Sequence, residues 1–359
     1  MAQQAAGADD VRLIAFYLPQ FHPTPENDAW WGKGFTEWRN VVRALPNFPG
    51  HYQPQLPGEL GFYDLRVAET RAEQASLARE HGIGAFCYYH YWFSGRRLLH
   101  RPLDDVLASN EPDFPFCICW ANENWTRAWD GLTQNVLVAQ QYRDEDALGF
   151  IRDALPILAD PRYVHVDGRP LLLVYCASDI PDPKRWTAVW REEAQRAGHR
   201  GLHLAMVQSV NSKEQDPTVL GFDSAVEFPP HLFRVQDLTR AVANVRAGFR
   251  GSIFDYISAA RYALGREKPA YRLFRGVMPA WDNTARGQDT SNCFINAEPP
   301  NYERWLRGIV DITRTWHAGD ERIVFVNAWN EWAEGCHLEP DLRYGRAFVE
   351  ATRRALATT

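Results

Sequence analysis

The sequence predicts an α/β fold, a single (β/α)8 TIM barrel with extended loops at the C-terminal face of its strands. Three observations lead there. Eight short apolar runs rich in Val, Ile, Phe, Tyr and Cys recur along the chain, most of them lack the in–out alternation of a half-exposed strand, and helical patterns lie between them. A doubly wound open sheet would alternate in the same way, but it would favour a Gly-rich nucleotide turn after its first strand. Here that strand runs into Pro19-Gln20-Phe21-His22-Pro23.

The predicted strands cover residues 13–18, 83–89, 114–120, 171–175, 202–208, 224–228, 276–280 and 323–329. Residues 66–81 read as a helix closed by Gly82, in the position that favours a left-handed cap. Ala147, Phe150, Ile151, Ala154, Leu155 and Leu158 share one helix face, as do Tyr302, Trp305, Leu306, Ile309, Ile312 and Trp316. Further helices are predicted near 184–197, 235–263 and 343–356. No repeat, low-complexity tract or linker divides the chain. Residues 1–10, small and polar, read as a disordered tail, and 11–359 as one catalytic domain with a long inserted loop over about 19–64. A loop of that length in a compact domain is usually functional.

Composition narrows the function classes. The 359 residues are 45% hydrophobic and 23% charged with a net charge of −6, a globular composition without the clustered Lys and Arg of a nucleic-acid surface. No apolar run approaches the roughly 18 residues that span a bilayer. The first ten residues carry neither a basic segment nor an apolar one, so no signal peptide is expected as written, and a cytoplasmic location follows as the default. The six Cys form neither a CxxC pair nor a zinc pattern, and four sit inside apolar runs as small hydrophobes.

The aromatic count stands out, with 14 Trp, 14 Tyr and 19 Phe. In a barrel the active site follows the C-terminal ends of the strands. Ten of the 14 Trp fall in such segments or in the first loop, beside Asn, Asp, Glu and His. Aromatic faces with convergent polar groups suit a sugar cleft, although Trp can also plug a barrel mouth and brace long loops. The candidate substrate-binding residues are Tyr17, His22, His90, Trp92, Trp120, Asn122, Glu123, Trp125, Tyr175, Glu227, Trp281, Asp282, Trp329, Asn330 and Trp332; Arg127, Trp129 and Asp130 lie close by in sequence.

Glu331 and Glu334 are the candidate catalytic pair. If the chain turns helically after the last strand they share a face, with Cβ atoms roughly 5–6 Å apart. Retaining glycosidases hold two carboxyl groups about 5–5.5 Å apart and inverting ones about 6.5–9.5 Å apart. Trp329 and Trp332 would desolvate the pair and raise one proton affinity. The alternative is that one or both cap a helix or pair with an Arg. Glu123 is a reserve acid, sugar ligand or brace; Glu227 is a reserve ligand or an Arg partner. Asp144-Glu145-Asp146 resembles a metal–nucleotide motif but opens a predicted helix, where acids have an electrostatic reason to sit. His22, His51, His90 and His337 lack zinc spacing. With no P-loop, dinucleotide fingerprint or GxSxG elbow, neither metal nor cofactor is expected.

The strings Ala15-Phe16-Tyr17-Leu18-Pro19-Gln20-Phe21-His22-Pro23, Trp30-Trp31-Gly32-Lys33-Gly34-Phe35-Thr36-Glu37-Trp38, Gly50-His51-Tyr52-Gln53-Pro54, Cys87-Tyr88-Tyr89-His90-Tyr91-Trp92-Phe93, Trp120-Ala121-Asn122-Glu123-Asn124-Trp125 and Asn327-Ala328-Trp329-Asn330-Glu331-Trp332-Ala333-Glu334-Gly335 resemble the WbsX-like family of bacterial polysaccharide proteins, over about residues 12–346. Members are often labelled glycosyltransferases of O-antigen or capsule clusters. More distantly, the barrel order and the Asn-Glu-Trp-x-Glu-Gly segment resemble glycoside hydrolase family 99, the endo-α-mannosidases. That resemblance implies that Glu331 acts as a base on the sugar 2-hydroxyl, which attacks its own anomeric carbon. It makes Glu334 the acid and then base at the leaving oxygen, and Tyr17 the site tyrosine.

The expectation is therefore a retaining glycoside hydrolase acting on α-linked mannose or rhamnose of a bacterial polysaccharide. The alternatives are a glycosyltransferase of O-antigen or capsular polysaccharide synthesis and a non-catalytic glycan-binding barrel. The partner is an oligosaccharide or polysaccharide, not a nucleic acid.

Overall fold

The computed structural model describes residues 11–127, 132–209, 214–231 and 235–357, so the expected tail over 1–10 lies outside the described residues. Eight strands form a closed parallel barrel: β1 Arg12–Tyr17, β2 Ile83–Phe93, β3 Phe116–Trp120, β4 Arg169–Val174, β5 His203–Gln208, β6 Ser224–Glu227, β7 Leu273–Val277 and β8 Ile323–Val326. Each pairs with the next in sequence, and β8 returns to β1 through Arg12 opposite Ile323 and Ala15 opposite Val326. The strands are largely apolar because both faces are covered, by side chains filling the barrel on one side and by helices on the other.

The outer layer comprises α1 Ala68–Glu80, α2 Arg101–Ser109, α3 Asp146–Leu158, α4 Pro183–Arg196, α5 Tyr256–Leu264, α6 Pro299–Trp316 and α7 Ala347–Leu356. The 3.6-residue apolar patterns read from the sequence are the inward faces: Phe150, Ile151 and Ala154 of α3 and Trp305, Leu306 and Ile309 of α6 are fully buried. Gly82 follows α1 at φ +86°, as expected of a left-handed cap.

Four elements differ from the sequence reading. Strand β7 begins three residues early because it contains Arg275, a charge that interrupts the apolar run. Arg275 is fully buried, and its Nε donates to Glu227 Oε2 at 2.8 Å. Of the helix expected over 235–263 only α5 forms. Ser252–Asp255 before it is a strand paired in parallel with Asn292–Ile295, so sheet hydrogen bonds replace helical ones there. Between β5 and β6 a 3₁₀ turn, Pro217–Leu220, stands where a helix would, and α2 has no counterpart in the sequence reading. Among the described residues no helix is long and apolar enough to cross a membrane.

Candidate active site

A cavity of about 520 Å³ opens at the C-terminal end of the barrel. Strand β2 supplies Tyr89 and Tyr91. Glu123 follows β3, Tyr175 and Asp179 follow β4, Phe228 follows β6, Trp281 follows β7, and Glu331 and Glu334 follow β8. Side chains alternate along a strand, so Tyr89 and Tyr91 face the cavity while His90 and Trp92 point into the helix layer.

The glutamate pair owes its position to the short structure after β8. Asn330 and Glu331 pair antiparallel with His337 and Cys336, and a 3₁₀ turn over Trp332–Glu334 joins the two segments. Gly335 closes that turn at φ +55°, a left-handed conformation that glycine adopts without strain. The hairpin is locked to β1, since Asn330 Oδ1 accepts from the Leu18 amide at 2.7 Å and its Nδ2 donates to the Leu18 carbonyl at 3.0 Å.

Arg286, in the short helix Thr284–Gly287 after β7, ties the two glutamates together. Its Nη1 donates to Glu334 Oε1 at 2.5 Å, its Nη2 to Glu331 Oε2 at 3.2 Å and its Nε to Glu37 Oε1 at 3.2 Å. One guanidinium thus spans three carboxylates, and the Glu37 side chain is fully buried. Trp281 Nε1 donates to the other Glu334 oxygen at 3.3 Å. Burial first, then the charge of Glu334, pushes Glu331 up to about 8, against the opposing pull of Arg286. Burial raises Glu37 as well, again opposed by Arg286. Glu331 therefore holds its proton through neutral pH and gives it up near pH 8.

Of the expected site residues, Glu331, Glu334, Glu123, Trp125, Tyr175 and Trp281 line the cavity. Desolvation raises the Glu123 carboxyl, and Asp179 and Glu334 add to the effect. The others are placed elsewhere. The Tyr17 hydroxyl is buried and donates to Gln74 Oε1 at 2.7 Å. His22 is buried, and burial lowers it to about 4. His90 lies under the surface with Nε2 3.3 Å from Asp153 Oδ2. Trp92 and Trp120 pack on Phe150 of α3, the Trp120 ring centroid 4.3 Å from it. Asn122 braces the end of β4, exchanging hydrogen bonds with the backbone of Cys176.

Glu227 is an Arg partner and not a ligand candidate. Burial raises it, but Arg275 and Arg266 outweigh burial and hold it below the usual carboxylate range. Trp329, Asn330 and Trp332 are core residues of the hairpin, and Trp332 Nε1 donates to buried Glu339 at 2.6 Å. Trp129, Asp130 and the side chain of Arg127 lie outside the described residues. Sequence reasoning missed Arg286, Glu37 and Asp179; an isolated Arg in a loop carries no signal until its three carboxylates are seen around it.

Asp282 sits behind Trp281, away from the main cavity. His51, Asp282 and Cys293 bring donor atoms within 4.8 Å of one another, a spacing open to a metal. The hydrogen bonds argue otherwise. The Asn47 amide donates to His51 Nδ1 at 3.0 Å, so the ring proton resides on Nε2 and is given to Asp282 Oδ2 at 2.7 Å. Gln53 and Thr284 complete the shell of Asp282. A metal on Nε2 would need that ring to lose its proton, so the trio is a hydrogen-bonded brace. Asp144 and Asp146 are likewise engaged, by Arg185 and by Ser94 with the Arg143 amide, at the opening of α3.

The fold is shared with solved structures of low sequence identity. A glycoside hydrolase-like protein superposes with a TM-score of 0.59 at 14% identity, covering 98% of this chain and 95% of that one. The GH99 endo-alpha-mannosidase from Bacteroides thetaiotaomicron, alone and with bis-tris-propane, gives 0.56 at 14% identity over 96% of each chain. Two sequences described as uncharacterized protein WxcX, from two strains of Xanthomonas campestris pv. campestris, are 48% and 47% identical over 344 residues, 96% of this chain. The chain spans about half the length of these curated relatives, 49% in each case. The profile of the family described as Glycosyltransferase WbsX matches residues 13–352, and the chain belongs to that family.

Proposed function

We propose that the protein is a retaining glycoside hydrolase that cleaves α-linked manno-configured residues, mannose or rhamnose, in a bacterial polysaccharide. The observation that carries this reading is the Glu331–Glu334 pair, held by one guanidinium on the wall of a cavity rich in aromatic rings. Glu331 takes the proton of the substrate 2-hydroxyl, whose oxygen closes on the anomeric carbon as the bond to the leaving oxygen breaks. Glu334 gives the leaving oxygen its proton and later takes one from the water that opens the strained intermediate, while Glu331 returns its proton to the 2-oxygen. A 2-hydroxyl trans to the leaving group, as in α-mannosides and α-rhamnosides, makes the displacement geometrically possible. Arg286 and Trp281 fix the two carboxyl groups in orientation, and the ring walls exclude water.

The family description favours glycosyl transfer as a second reading. A nucleotide-sugar donor brings a diphosphate that calls for cationic partners. The described residues lining the cavity include Glu123, Asp179, Glu331 and Glu334 but no Lys or Arg, and the guanidinium behind them is engaged by three carboxylates. This charge pattern supports hydrolysis of a neutral glycan.

The test is incubation of the purified protein, without nucleotide or added metal, with mannose- and rhamnose-containing bacterial polysaccharides, the products being read by mass spectrometry. New oligosaccharides from wild type, absent with Glu331→Gln and Glu334→Gln, are the expected result. No product from any glycan, with calorimetric binding of a nucleotide sugar, would overturn the reading in favour of transfer.

The raised proton affinity of Glu331 also sets a pH dependence. Glu331 acts as a base only in its ionised form, so kcat/KM is expected to rise as pH climbs through about 8 and to fall off below it, where the carboxyl keeps its proton. A rate that stays flat from about pH 6 to 9 would remove this account.

A further inference from the structure

A second cavity of about 150 Å³ lies on the other side of Trp281, the one residue among those described that lines both cavities. Its walls join the first loop to the chain after β8: Tyr52 and Gln55 on one side, Asp341 and Tyr344 on the other, with Asn296 at the edge. The string Gly50-His51-Tyr52-Gln53-Pro54, which the catalytic reading leaves without a role, builds this chamber. His51 and Gln53 both donate to Asp282 Oδ2 at 2.7 Å, and that anchors the residue next to Trp281 in the chain. Across the chamber, Arg343 lies over the rings of Tyr52 and Tyr344, 5.1 and 5.0 Å from their centroids, and stiffens that wall. Gln55 is half-buried, and its amide has no protein hydrogen-bond partner among the described residues.

We infer that this chamber binds one further pyranose unit of the glycan, on the leaving-group side of the scissile bond. The chamber has the size of a single hexose ring. It combines aromatic faces with amide and carboxylate groups, the mixture that holds a neutral, hydroxyl-covered ring. The side follows from Trp281, whose indole N–H points at Glu334, the group assigned to the leaving oxygen. The assignment of side rests on the proposed function; the binding itself does not. Its consequence is that the protein recognises a chain and not a terminal sugar, so leaving-group residues contribute to transition-state binding.

The experiment uses the inactive Glu331→Gln protein and calorimetric titration with α-linked mannose and rhamnose oligomers of one to four units. Affinity is expected to step up by about tenfold on adding the unit that reaches the chamber, as one ring stacked and hydrogen-bonded would give. Adding Tyr344→Ala or Gln55→Ala to that protein should abolish the step and leave the shorter oligomers unchanged. Gln55→Ala removes only a half-buried amide, so it keeps the test valid should Tyr344→Ala unfold the protein. Affinity independent of length, or a step that survives both substitutions, overturns the subsite. Absence of binding by every oligomer overturns it together with the manno-configured reading. Turnover plays no part in this measurement, so failure of the hydrolase reading shows separately, as the lack of products from wild type.

Discussion

Arg286→Ala is expected to abolish turnover and to destabilise the fold by about 3–5 kcal/mol, the range found when one partner of a buried ion pair is removed. The guanidinium is mostly buried, and Glu37, Glu331 and Glu334 all bond to it. Without it the fully buried Glu37 carboxylate loses its cation, and Glu331, already raised by burial and by Glu334, rises further. Carboxyl groups with raised native proton affinity destabilise the fold as pH climbs from the unfolded value, near 4.5, through the native one. The loss in the variant should therefore be larger at pH 8 than at pH 5. Urea unfolding of wild type and variant at the two pH values measures this directly. Equal stability at pH 8 would show that the three carboxylates do not depend on Arg286. Arg286→Lys retains the charge but presents one ammonium in place of a three-nitrogen fork, so it should fall between the two.

Glu334→Gln should lower kcat/KM on the natural glycan by about 10²–10⁴-fold, the contribution usual for general acid catalysis. An aryl glycoside with a good leaving group needs little proton donation and should lose much less. The substitution also removes the negative charge that raises Glu331, so the rise in rate near pH 8 should move to lower pH in whatever activity remains. Unchanged turnover of natural glycan would end the assignment of Glu334 as the acid. An equal loss on both substrates would point to a structural role, through its bonds to Arg286 and Trp281.

The barrel and the adjacency of Glu331 and Glu334 were legible in the sequence for local reasons. A strand covered on both faces must be an uninterrupted apolar run, and a helix packed on the barrel must repeat its apolar positions every three or four residues. Where a local pattern was broken by a long-range partner, the reading slipped: Arg275 disguised the start of β7 because Glu227, on β6, neutralises it there. The Trp residues show the same limit. Their clustering near strand ends was visible, but a strand end has two faces. Trp92 and Trp120 point to the helices, and Trp329 and Trp332 fill the core behind the hairpin. Trp125 and Trp281 line the cavity.

The sequence by itself determined the eight barrel strands, their order and the three-residue spacing that presents Glu331 and Glu334 together, because periodicity and turn chemistry act over a few residues. Only the tertiary structure decided which groups share the site. Glu37, Arg286 and Glu331 come from distant parts of the chain and meet because the barrel brings its first, seventh and eighth loops together. The proton affinity of Glu331 was equally beyond the sequence, since it is set by burial and by charges that only the closed barrel places beside it.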